Sequence, residues 1–323
     1  MMKNLRISKI LWLLVFLLTT MWASGQTQRY VSPSGADAGN CSGSPCATIN
    51  YAVSQSASGD VINISGSLSQ ANTSTINKSL TLKGGGVGST TIRVPENTQL
   101  PVFTVTANNV TFENMTLSNK GTMNGGIWVQ GASSGLTVKS VTFDSLGKVA
   151  GSTAGTAGSG IRFLSNFANA TIENCIFNSY DSKTSVGVTS PGSLISNMVI
   201  KNSQFNKLFI GVWSSGPING LTLTGNIFGP FDPSDNTSGT SSIYLGDMNG
   251  SIQNVKVENN TFTSFTRGFY INSYSTSGIS SSLVKNIDIR NNTFTNSIYS
   301  SAIRIITTEN ATIEDLSIEN NTI

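Results

Sequence analysis

The stretch VKVENNTF, residues 255–262, recurs as IDIRNNTF at 287–294 and as LSIENNTI at 316–323. The same pattern aligns VTFENMTL (110–117), LTVKSVTF (136–143), ATIENCIF (170–177), MVIKNSQF (198–205) and LTLTGNIF (221–228), at intervals of 23 to 34 residues. Equal cores joined by unequal connections describe a solenoid whose coils carry insertions on their faces.

The columns of the repeat have physical meaning. Its first, third and eighth positions are apolar in all eight copies, and the second and fourth are mostly polar. This alternation is that of a strand with one face inward. The fifth column reads Asn114, Ser140, Asn174, Asn202, Gly225, Asn259, Asn291, Asn320. Asn and Gly best tolerate a left-handed backbone, so each octet is a strand, a tight bend and the start of a second strand. With coils about 4.8 Å apart, the fifth-column amides are expected to form a ladder along the axis. The eighth column stacks Phe143, Phe177, Phe205, Phe228, Phe262 and Phe294 as a core aromatic row. The fourth column, Glu113, Lys139, Glu173, Lys201, Thr224, Glu258, Arg290, Glu319, sets opposite charges on adjacent rungs in most cases. Its acids therefore have a structural role.

A further strand follows in each coil: GGIWV (125–129), SGIRF (159–163), FIGVW (209–213), SSIYL (241–245), RGFYI (267–271) and SAIRI (301–305). Three short strands per turn without crossover helices give an all-β parallel β-helix solenoid, right-handed because parallel crossovers nearly always are. Before the octets, TINYAVSQSA from Thr48 has an N-cap residue and an apolar face, and reads as a short N-terminal capping helix.

The chain opens with a basic start, an apolar run from Ile10 to Leu18 and the small-residue exit Ala23-Ser24-Gly25. This reads as a signal peptide over residues 1–25, and export to the medium or outer cell surface is expected. The cap and first strand then occupy 26–66 and the coils 67–323. Lys3, Arg6 and Lys9 carry the whole net charge of +3, so the mature chain is neutral, with 16 basic and 16 acidic residues. Neutrality argues against a nucleic-acid partner. Neither is a membrane span expected in the mature chain. Cys41 and Cys46, in CSGSPC, are placed to pair in an oxidising compartment. Cys175 reads as a core residue. The absence of histidine speaks against a Ser-His-Asp relay or a zinc site.

Two places are candidate sites. On the third strand, the outward positions are expected to be Trp128, Arg162, Gly187, Gly211, Tyr244, Tyr270 and Arg304, with Gln130, Trp213 and Asn272 two residues further on. Exposed aromatics beside amides and arginines suit stacking of sugar rings. The second place is the loop corner at 144–160, 178–185 and 229–239, which gathers Asp144, Asp181, Lys183, Asp232 and Asp235, with Asp247 nearby. Asp181 with Asp232 or Asp235 is the pair on offer to a glycoside hydrolase, and Lys183 or Arg162 is the base on offer to a lyase. The DPSDN run around Asp232 and Asp235 can hold calcium through oxygen, although such strings are turn formers first. No cofactor is otherwise expected.

The run CATINYAVSQSASGDVINI (46–64), followed by INKSLTLKGGG (76–86), resembles the start of secreted bacterial right-handed parallel β-helix proteins of the pectate-lyase-like superfold. The Asn/Thr/Ser-rich coils are similar to those of Bacteroidetes-type surface proteins. The family includes polysaccharide lyases, glycoside hydrolases and adhesins, and none of its catalytic motifs maps onto this chain. Ile323 closes an octet with no terminal cap after it, which predicts a fragment of a longer product. The leading expectation is an exported non-catalytic surface protein that binds glycan or cell surface. A polysaccharide lyase or hydrolase working at the 181–247 corner, or a bare structural stalk, are the alternatives.

Overall fold

The computed structural model describes residues 25–94, 100–118, 125–131, 133–147, 158–180, 185–230, 241–247, 251–273, 283–297, 301–307 and 311–323. Their strands pair in parallel into a sheet of 20 short strands and a second sheet of 9. Each octet contributes to the first sheet, and the chain then crosses to a single strand of the second. Register is kept from coil to coil. Leu221, Val255, Ile287 and Leu316 follow one another along the axis, as do Phe228, Phe262 and Phe294.

The bend column behaves as its residues require. Asn114, Ser140, Asn174, Asn202, Asn259, Asn291 and Asn320 all have φ between 50° and 59°, and Gly225 has φ 64°. A second bend column lies one residue before each octet, at Asn109, Gly135, Asn169, Asn197, Gly220, Asn254, Asn286 and Asp315, again all at positive φ. The sequence reading had missed it. The strand of the octet is thus held between two left-handed residues, which sets its length.

The amide ladder is one residue later than expected. Fifth-column residues such as Asn202, Asn259 and Asn291 are exposed. The buried ladder is the sixth column, Asn226, Asn260, Asn292 and Asn321. The left-handed residue turns the chain so that the next side chain enters the core, where Met115, Val141 and Cys175 sit in earlier coils. A buried amide must satisfy all its polar atoms. Asn260 does so: its Nδ2 donates to the carbonyl of Leu223 at 2.9 Å and to Asn292 Oδ1 at 3.0 Å. Its own Oδ1 accepts from the backbone and side-chain N–H groups of Asn226 at 2.9 and 3.0 Å.

The phenylalanine row is continuous from Phe143 to Phe294, with successive ring centroids 4.5–5.0 Å apart and planes within 10°. On the outside of the first sheet, Lys83 pairs with Glu113, Lys201 with Glu173 and Arg290 with Glu258 at 3.2–3.4 Å. The last two are cross-rung pairs read from the fourth column, and Lys83 extends the pairing to the rung before the first octet. Each contributes at most about 1 kcal/mol at such exposure.

At the N-terminal end, helix α1 (Ile49–Gln55) buries Ile49, Ala52 and Val53. The Thr48 hydroxyl accepts from the N–H of Tyr51, and the Asp37 carboxylate accepts from the N–H groups of Ala47 and Thr48. Lys78 Nζ donates to the carbonyls of Val53, Ser54 and Ser56 at the helix C-terminus. Below the helix, Arg29 and Asp60 form a buried ion pair at 2.8 Å. Cys41 and Cys46 are disulfide-bonded, with Cα atoms 5.2 Å apart. Among the described residues no helix is long and apolar enough to cross a membrane. The signal-peptide reading falls on residues 1–25, of which only Gly25 is described.

Candidate binding face

The second sheet runs through strands 74–76, 101–105, 125–129, 158–163, 185–190, 210–214, 241–247, 269–273 and 303–307. Its pairing places Thr75, Thr104, Trp128, Arg162, Thr189, Trp213, Tyr244, Tyr270 and Arg304 in one unbroken column, one residue per coil. Six of these, Trp128, Arg162, Trp213, Tyr244, Tyr270 and Arg304, are the residues singled out from sequence.

The register corrects two placements. Gly187 and Gly211 are not in this column. They belong with Gly126 and Gly160, two residues before the column, where the strand presses on the phenylalanine row. A Cβ on Gly187 would lie 2.6 Å from the Gly211 carbonyl oxygen and 2.6 Å from the Phe205 ring. The column positions of those two coils are filled by Thr189 and Trp213. Trp213 therefore belongs with Tyr244 and not with Asn272, which pairs with Gly246 and Ile306.

A further correction concerns exposure. The rings do not stand free in solvent. Trp128, Trp213 and Tyr244 are half-buried, and Tyr270 is 8% exposed. For Trp128 and Tyr244 the cause is the small residues on the same strands. The Trp128 indole lies where a Cβ on Gly125 would be, and the Tyr244 ring lies 2.7 Å from the place of a Cβ on Gly246. The rings lie along the strand and form a floor. Tyr270 meets Tyr244 edge-on with centroids 5.1 Å apart, and Asn272 Nδ2 donates to the Tyr244 hydroxyl at 3.2 Å.

Cations sit on this floor. The Arg162 guanidinium carbon is 5.6 Å from the Trp128 ring, and those of Arg267 and Arg304 are 5.0 and 5.4 Å from the Tyr270 ring. Arg267 lies just before its strand and was not singled out from sequence. Its position before Gly268 in RGFYI was the available signal. Several donors here are buried with no acceptor among the described residues: Trp128 Nε1, Arg162 Nε, Thr189 Oγ1 and Arg267 Nε. Burial pushes the Arg162 pKa down from its ordinary value. A face with buried, unanswered donors favours a ligand that brings acceptors.

The loop corner offers less. Asp144 accepts hydrogen bonds from the hydroxyls of Ser118 and Ser145 at 3.3 and 3.4 Å. Asp181, Lys183, Asp232 and Asp235 lie outside the described residues, and so do the hydrolase pair and the calcium site read on them. Asp247 ends its strand opposite Ser273. Among the described residues no group of three Asp, Glu or Cys side chains is gathered to hold a metal ion. Cys175 is a buried thiol whose pKa burial pushes up to about 12, which leaves it protonated and unreactive.

Known structures share the architecture. The PL6 family alginate lyase AlyGC matches over 92% of this chain and 40% of its own, at 14% identity and TM-score 0.55. A pectin methylesterase solved with a hexasaccharide matches over 89% of this chain and 95% of its own, at 13% identity and TM-score 0.54. ORF18 of Geobacillus virus E2 matches over 96% and 65%, at 15% identity and TM-score 0.52. The chain thus spans less than half of the alginate lyase. No protein-family model matches it, and no curated protein matches it by sequence. At these identities the likeness establishes the fold alone, a right-handed parallel β-helix.

Proposed function

We propose that this chain is an exported, non-catalytic binding protein whose second sheet holds a glycan lengthwise. The observation that carries the reading is the single register column from Trp128 to Arg304, with the half-buried rings of Trp128, Trp213 and Tyr244, two guanidinium groups and buried donors that no described residue answers. Aromatic floors accept the apolar faces of sugar rings, and the buried N–H groups donate to hydroxyl oxygens. Coils repeat every 4.8 Å or so, a distance close to the length of one sugar ring. A linear chain along the axis therefore meets a fresh side chain at each ring. The alginate lyase and the pectin methylesterase are named for work on polysaccharides, which is compatible with a carbohydrate ligand here.

The test is binding and turnover measured together. The purified protein is titrated with plant, algal and host polysaccharides, and the same mixtures are searched for fragments by mass spectrometry. Retention of a glycan by the wild type, its loss in the Trp213→Ala/Tyr244→Ala double variant, and no fragments would support the reading. Fragments with an unsaturated end or an added water would replace it with a lyase or a hydrolase. Unchanged affinity in the double variant would remove the aromatic floor as the site. Binding needs no cofactor in this scheme, so a chelator should leave it intact.

A further inference from the structure

We propose that Arg267 and Arg304, seated on the Tyr270 ring they share, form an oxyanion site that takes a carboxylate or sulfate-ester substituent of the bound glycan. The inference deepens the glycan-binding reading and rests on it.

Both guanidinium carbons lie within 5.4 Å of one ring centroid, so the two charges are no more than about 10 Å apart. Tyr270 is 8% exposed, so its own faces are not open for a sugar to stack on. The ring serves as a seat. It is fixed edge-on by Tyr244, which is itself fixed by Asn272.

The charges are unanswered. On the first sheet, Lys83, Lys201, Lys256, Lys285 and Arg290 each have a carboxylate oxygen at 2.8–3.4 Å. Neither Arg267 nor Arg304 has a carboxylate partner among the described residues. In addition, Arg267 Nε is buried with no acceptor among the described residues. Two like charges seated on one ring, one of them with an unsatisfied N–H, are a destabilised arrangement in the free protein. An oxyanion relieves both defects: it neutralises the pair and accepts from their N–H groups. Guanidinium suits this role because its planar fork meets two oxygens at once. Arg162 on Trp128, several coils away, repeats the motif with one cation. The column therefore has a cationic group toward each end and the uncharged Thr189, Trp213 and Tyr244 between.

The experiment is calorimetric titration of the full chain with three oligosaccharides of equal length: neutral, uronate-bearing and sulfate-esterified. Inorganic sulfate is added as a fourth probe, followed by its effect on the melting temperature. The proteins are the wild type, Arg267→Gln, Arg304→Gln and Arg304→Lys, each first shown to melt cooperatively. The expected result is tighter binding of an anionic oligosaccharide than of the neutral one. Each Gln variant should lose about tenfold or more of that affinity, and a smaller share of its affinity for the neutral sugar. Arg304→Lys, which keeps the charge and loses the fork, should fall between. Whichever anionic sugar responds identifies the substituent. Equal binding of neutral and anionic sugars, unaffected by the variants, would overturn the oxyanion site and leave glycan binding standing. If no sugar binds, yet sulfate raises the melting temperature of the wild type and not of the Gln variants, the oxyanion site stands and the glycan reading fails.

Discussion

The side-chain amide of Asn260 donates to Asn292 Oδ1 at 3.0 Å, and the same oxygen receives the backbone N–H of Asn260 at 2.9 Å. Asn259, its neighbour in sequence, is exposed at φ 56°. Two adjacent asparagines thus do separate jobs. The first is a bend, and the second closes the hydrogen bonds of a buried turn.

That division is testable by substitution. Asn260→Leu leaves the Asn226 N–H and the Leu223 carbonyl without partners in the core. It should cost about 2–4 kcal/mol in urea unfolding. Asn259→Gly keeps the left-handed bend and should change stability by only a few tenths of a kcal/mol. Asn259→Val forces a β-branched residue to positive φ and should cost about 1–2 kcal/mol.

Gly187 has no room for a side chain, since both the Gly211 carbonyl and the Phe205 ring stand 2.6 Å from where its Cβ would be. Gly187→Ala should lower stability by about 1–3 kcal/mol through overpacking. Gly192, with open space around the place of its Cβ and φ 78°, is the control for backbone strain alone. Gly187 is not at positive φ, so in thermal melts its alanine variant reports the steric cost and that of Gly192 the backbone strain.

Asp60 sets an acid limit on the N-terminal end. Burial by itself would raise its pKa, but the N–H of Ala57, the Arg29 guanidinium and the N–H of Thr27 outweigh burial and hold it below the ordinary value. A depressed carboxyl stabilises the fold above its unfolded pKa, about 3.9, and that stability is lost as pH falls through the lower folded value. Wild-type stability should therefore drop on acidification below about pH 4. Asp60→Asn should be less stable at neutral pH and show a flatter acid profile, read by unfolding curves at several pH values.

Cys175 should resist thiol reagents in the native protein and react fully in urea, because the thiol is buried and protonated. Cys175→Ala should leave glycan binding unchanged. Fast labelling of the folded protein would contradict the packing described for the sixth column.

The solenoid was legible because its apolar positions recur in fixed register, and a period-two pattern repeated eight times leaves little freedom. Residues Asn226, Asn260 and Asn292 were harder to read. In an Asn-Asn doublet the polar pattern does not say which member enters the core, and the left-handed backbone of the first decides it. The candidate column was legible at six residues through the repeated GIxV strand. Ser185–Ser190 broke the reading, since SVGVTS has threonine where its neighbours have Trp, Arg or Tyr, and Gly187 took the outward place by default. Whether a ring stands in solvent or lies along the strand depends on Gly125 and Gly246, and that close approach is a property of the folded chain. Arg267 escaped because it precedes its strand, outside the alternation that marked the others.

The two sheets also differ in how they would meet a charged surface. On the first, Lys83, Lys201, Lys256, Lys285 and Arg290 are neutralised at home by Glu113, Glu173, Glu258 and Glu314. Arg162, Arg267 and Arg304, on the second, have no such neighbour among the described residues. A rod charged in this way turns as it nears an anionic matrix and settles on its flank, arginine side down. Orientation of that kind operates over roughly a Debye length, about 8 Å at physiological ionic strength. Salt would then slow the landing before it loosens the grip.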